Sequence, residues 1–208
     1  ILGLGAVACG GDPASDDSGK IVEETDEDRS GEAETEAGAG ASDESAGEEE
    51  IASITNDSGQ ANWTVLVYVM GDNDLETFAV GDIFEMAEAG SNEHLNIVSL
   101  IDRHPGYSDD EVGPLGNFEG TQLIHVGKDE VLQSVDLGEV NTGSADELAE
   151  FVTAGIRQFP ANRYALIIWD HGAGWPGMGP DETDGEDILT LPEISEGIAA
   201  GLDATGVD

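Results

Sequence analysis

Residues 164–172 read YALIIWDHG, and this stretch decides the fold. An unbroken apolar run of this kind, without polar alternation, suits a strand covered on both faces, as in parallel sheets flanked by helices. The run stops at the ionisable pair Asp170 and His171 and enters a glycine-rich turn, HGAGWPGMG. In sheets of this class, ligands and catalytic groups gather beyond the carboxyl ends of the strands. His171 stands at such an end. Imidazole as a side chain is suited to proton transfer near neutral pH, and Gly172 and Gly174 leave room for a reactant to approach. The amide of Gly172, unshielded by a side chain, could face a developing oxyanion. Two other readings of the pair stay open: a solvated cap on a strand end, and a metal site. For a metal, no second His or Cys stands at ligand spacing, and His94, His104 and His125 read as surface or hairpin residues.

Working outward, TVLVYVM (64–70) and NIVSLID (96–102) have the same buried-strand character. Asn73 and Glu76 form a capping-box pattern that predicts a helix to about Gly90, with Leu75, Phe78, Ala79, Ile83, Met86 and Ala87 at helical spacing. TQLIHVG and VLQSVDL read as a hairpin. Ser144 with Glu147, and Thr190 with Glu193, start two further helices, the first ended by Pro160. Strands alternating with helices predict an α/β domain over residues 62–208, a mostly parallel sheet with helices on both faces. Asp72 and Asp74 could be read as catalytic carboxylates. Capping explains Asp72 and Asn73 more simply, and Asp74 in a first turn suits the helix dipole. PDETDGEDILTL fails as an EF-hand loop, because Gly185 at its sixth position puts Pro180 first and Leu191 last.

The chain has 208 residues, with 46 acidic side chains against six Lys and Arg and a net charge of -40. That balance argues against nucleic acid and anionic membrane surfaces as partners. It suits salty surroundings and loose binding of divalent cations. The acidity is densest in residues 10–61, which lack aromatics and read as a disordered linker, a spacer from a surface. Before it, ILGLGAVACGG resembles the tail of a bacterial lipoprotein signal peptide, so residues 1–9 are expected to be its remnant and Cys9 the lipidated residue. Cys9 is the single cysteine, so no internal disulfide is possible. Beginning at Ile1 and stopping shortly after Gly206, the chain reads as a fragment at both ends.

TVLVYVMGDNDLE, NIVSLIDR, FPANRYALIIWDHGAGW and LTLPEI, in that order, resemble the clostripain-like cysteine peptidase family across residues 63–208. The resemblance implies a caspase-like sandwich, truncated here. It implies that His171 is the catalytic histidine and Gly172 the oxyanion-hole glycine, working with a cysteine at the end of the next strand, beyond Asp208. The fragment alone is then expected to be inactive. The expected enzyme is an extracytoplasmic endopeptidase, lipid-anchored at the cell envelope or secreted, cleaving peptide or protein substrates after Arg or Lys. It needs no cofactor for its chemistry, though some relatives need Ca2+. With no Lys or Arg after Arg163, self-processing within this stretch is not expected. Two rival readings are a non-catalytic acidic surface lipoprotein binding cations or cell-wall components, and metal-dependent hydrolysis through Asp170 and His171.

Overall fold

A computed structural model of the chain describes residues 54–55 and 59–207. Seven strands and three α-helices follow in the order β1 (Trp63–Gly71), α1 (Glu76–Ala89), β2 (Leu95–Arg103), β3 (Gly120–Gly127), β4 (Glu130–Gly138), α2 (Ala145–Gln158), β5 (Tyr164–Trp169), β6 (Gly177–Asp181), β7 (Asp187–Thr190) and α3 (Leu191–Thr205). Five strands form one sheet in the order β4-β3-β2-β1-β5, and β6 pairs with β7 in a small ribbon. β1 runs parallel to both β2 and β5, while β2–β3 and β3–β4 are antiparallel. The sheet is therefore mixed, with a parallel half and a hairpin half.

The near-continuous apolar run of β1 follows from helices lying on both faces. Val67 and Val69 pack with Ala79, Val80 and Ile83 of α1. Leu66, Tyr68 and Met70 point the other way, against Leu148, Phe151 and Val152 of α2, with Ile194, Ile198 and Leu202 of α3 outside them. This is the expected α/β sandwich. Glycines set the spacing of its second layer: a Cβ at Gly155 would lie 2.3 Å from Leu66 Cδ2, and one at Gly201 would lie 2.7 Å from Val152 Cβ.

Of the expected helix starts, Thr190 and Glu193 form a complete capping box. Ser144 caps α2, but its side chain accepts from the Asp146 amide. The box expected at Asn73 and Glu76 does not form. Glu76 is fully buried and its Oε1 accepts from Arg103 Nε at 2.7 Å, so the carboxylate is committed to an ion pair. Phe78, expected on the core face of α1, is 63% exposed.

Cys9 and the signal remnant (1–9) lie outside the described residues, as does the linker up to residue 53. Two described residues of the expected linker span, Ile54 and Ala61, are buried against the domain. Ala61 bridges to Ala161, so the packed chain reaches back before Trp63.

Candidate active site

β5 is an edge of the five-stranded sheet, and its register with β1 brings Trp169 opposite Val69. The next residues, Asp170 and His171, therefore emerge beside the end of β1, where the chain turns through Asp72, Asn73 and Asp74. Asn73 ties the two ends together. Its buried amide nitrogen lies 3.0–3.1 Å from both carboxylate oxygens of Asp170, 2.8 Å from Pro180 O and 3.2 Å from Met70 O. Its Oδ1 accepts from the Leu75 amide at 2.9 Å, which is the local turn that starts α1. Asp170 in turn accepts from the backbone N–H of His171. Burial pushes the Asp170 carboxyl up to about 7, against the opposing pull of the hydrogen bonds from His171 and Asn73. Asp170 thus orients the backbone of His171, while the imidazole is free to face outward.

That imidazole is half-exposed and its Nε2 lies 2.8 Å from Asp74 Oδ1. Facing an ionised carboxylate, which only accepts, a neutral imidazole places its proton on Nε2 and leaves Nδ1 as the basic nitrogen. The turn beyond is held by β6: Ala173 N donates to Gly177 O at 3.0 Å and Gly179 N donates to His171 O at 3.3 Å. These bonds flank an antiparallel bridge between Gly172 and Met178, and in such a pair the bridging residue's own N–H points away from its partner. Gly172 is exposed, and nothing lies within 4 Å of where its Cβ would be. Its amide is therefore available to an approaching oxygen. Trp175, on the same turn, is 89% exposed.

The structure brings His171 and Gly172 side by side and adds two residues that pattern reading assigned to helix capping and the helix dipole, Asn73 and Asp74. A GDND turn after a buried strand was the available signal. What concealed its role is that the partners lie 97 residues away. His94 is exposed beside Glu93, His104 lies against Tyr107, and His125 is buried against Phe159; none of them joins His171. Asp72 is not a helix cap. It is fully buried, and it belongs to a group of carboxylates, with Asp102, Glu139 and Asp181, each of which offers one oxygen within 4.8 Å of those of the others. Among the described residues this is the group able to share a metal ion, and it includes neither Asp170 nor His171.

Comparison with known proteins places this geometry in context. The Clostripain family profile matches residues 67–208. Clostripain of Hathewaya histolytica is 27% identical over 174 residues, covering 71% of this chain and 33% of that protein. A secreted C11 cysteine protease from Bacteroides thetaiotaomicron, solved in complex with an irreversible peptide inhibitor, superposes with a TM-score of 0.51 at 25% identity. That match covers 67% of this chain and 39% of the protease. The chain thus spans between a third and two fifths of the length of these relatives.

Proposed function

The chain belongs to the clostripain family of cysteine peptidases, and from that premise we propose that it carries the histidine half of an endopeptidase active site, His171 acting as general base and acid. The observation that carries this reading is the half-exposed imidazole at the carboxyl end of an open edge strand, steadied by Asp74 and adjacent to the unshielded amide of Gly172.

The nucleophile in this reading is a cysteine following residue 208, on a strand that pairs with the open side of β5. Ile167 on that edge is 45% exposed, and an apolar groove of about 380 Å³, lined by Val65, Val67, Met86, Ile167 and Trp169 among others, runs beside it. The thiol proton passes to Nδ1 of His171, and the thiolate attacks the scissile carbonyl carbon. The oxygen, now negative, accepts from the Gly172 N–H. As the C–N bond breaks, the imidazolium returns its proton to the leaving amine. Water, deprotonated by the same imidazole, then releases the acyl group. General acid and base catalysis of this kind is worth roughly 10² to 10⁴ in rate. The thiol–imidazole chemistry needs no cofactor.

The substrate is a peptide or protein cut after Arg or Lys, as the family resemblance implies, and the acidic surface would draw such cations toward the site. The solved relative is described as secreted, which supports an extracytoplasmic setting. A lipid on Cys9 would hold the domain at a membrane. Among the described residues no helix is long and apolar enough to cross one. In the full-length protein, His171→Ala should abolish cleavage of an Arg-containing peptide while leaving the far-UV circular dichroism unchanged, since the side chain is not part of the core. Cleavage retained at the wild-type rate would overturn the assignment.

A further inference from the structure

We propose that Trp175 is a substrate-binding platform: its ring receives one large apolar or aromatic side chain of the peptide whose scissile carbonyl lies at the Gly172 amide. The inference rests on the peptidase reading and adds to it a contact for the residues that flank the cleaved bond. Of the chain's three tryptophans, two are engaged with the fold. Trp169 Nε1 donates to Asp82 Oδ2 at 2.6 Å, and the Trp63 ring centre lies 5.6 Å from the Arg163 guanidinium. Trp175 is 89% exposed, more than any other large apolar side chain among the described residues, and it belongs to neither core cluster. An indole left bare in this way keeps on the order of 200 Å² of mostly apolar surface in water, which a bound partner would remove.

The chemistry of the turn selects the partner. Residues 172–179 read GAGWPGMG and carry no ionisable side chain, in a chain that has 46 acidic ones. His171 through Pro176 are all exposed. The accessible side chains beside the ring are therefore Ala173 and Pro176, and the indole N–H is the only side-chain hydrogen-bond donor on this stretch. Such a surface offers a cation no carboxylate on the turn itself. It suits an apolar side chain, or a ring stacked on or tilted against the indole. The basic residue after which the peptide is cut is thus left to another part of the site.

Position follows from the chain. Trp175 stands three residues after Gly172, so its Cα lies within about 11 Å of that glycine. An extended peptide covers about 10 Å in three residues, which puts the ring in reach of side chains within about four residues of the scissile bond. The base of the turn is held firmly. Ala173 N donates to Gly177 O, Gly179 N donates to His171 O, and Gly177 packs so closely that a Cβ there would lie 2.2 Å from Leu189 O of β7. Pro176 fixes its own φ next to the ring. A bound peptide therefore meets an aromatic side chain anchored at a set distance from the oxyanion amide, and little backbone freedom is lost when the two engage.

The test uses the full-length protein and internally quenched peptides with arginine before the scissile bond, one residue being varied at a time over about four positions on either side. Wild type is expected to prefer Phe, Trp or Leu over Gly and Asp by about tenfold or more at one of these positions, expressed in KM. Trp175→Ala should erase that preference by raising KM for the favoured peptides, and Trp175→Phe should restore most of it. Thermal unfolding should give the same Tm for all three proteins. His171→Ala probes the underlying reading separately, since it should end cleavage of every peptide. A wild type indifferent at every position, or a preference that survives in Trp175→Ala, would overturn the platform. So would a fall in the Tm of Trp175→Ala with all peptides slowed alike, which would show the ring packed against the remainder of the protein. A wild type that cuts none of the peptides would instead overturn the peptidase reading itself, and the platform with it.

Discussion

At His171 the imidazole is restrained through one nitrogen, by a carboxylate that is itself two-thirds exposed. Asp74 selects the tautomer and the ring's direction, and it touches no reacting atom in the proposed mechanism, so it is a positioning residue. Asp74→Asn keeps the size but can donate as well as accept, and it no longer stabilises the imidazolium. In the full-length protein it is expected to lower kcat by roughly tenfold with little change in KM, since orientation and charge at the base matter most in the transition state. Asp74→Glu should recover part of the loss. A rise in KM with kcat intact would instead make Asp74 a substrate contact. The residues at this scale were unequally legible. His171 and Gly172 stood out because an apolar strand ended on them. Asn73, Asp74 and Asp72 were hidden because local capping gave each a sufficient role, and their real partners come from β2, the loop after β4, the end of β5 and β6.

Elements were legible where burial on both faces leaves a simple pattern, as in β1 and β2, and where a cap closes locally, as with Thr190 and Glu193. The same apolar run in β5 misled, because that strand is a half-covered sheet edge with Ile167 exposed, not a strand buried on both faces. The pattern misled at Glu76, because a buried arginine 27 residues away competes for the same carboxylate. It also understated the hairpin. His125 on β3 is only 5% exposed, packs 4.7 Å from the Phe159 ring at the end of α2, and its Nε2 has no partner. Burial lowers its pKa to about 4, from an ordinary value near 6.5. Between those values the unfolded chain binds the proton and the fold does not, so stability rises with pH across that window. The contribution is complete above about pH 6.5 and is lost as pH falls toward 4. His125→Leu should therefore flatten the acid limb of urea-unfolding stability between pH 7 and 4.5, by roughly 2 kcal/mol relative to wild type. Parallel profiles for the two proteins would show that His125 charges freely within the fold.

For the whole molecule, the sheet divides the labour. Its hairpin half, with β4 at the rim, supplies bulk and the loop carrying Glu139. Its parallel half ends in a row of polar side chains at the carboxyl rim: the acidic group at one place and His171 at the open edge of β5. That open edge gives the account its most direct test. The full-length protein is treated with an irreversible peptide inhibitor carrying arginine next to a thiol-reactive group, and the adduct is mapped by mass spectrometry. The account predicts one modified cysteine, on a segment following α3, labelled rapidly in wild type and at least about a hundredfold more slowly in His171→Ala. Labelling that is indifferent to His171, or that falls on Cys9, would contradict it.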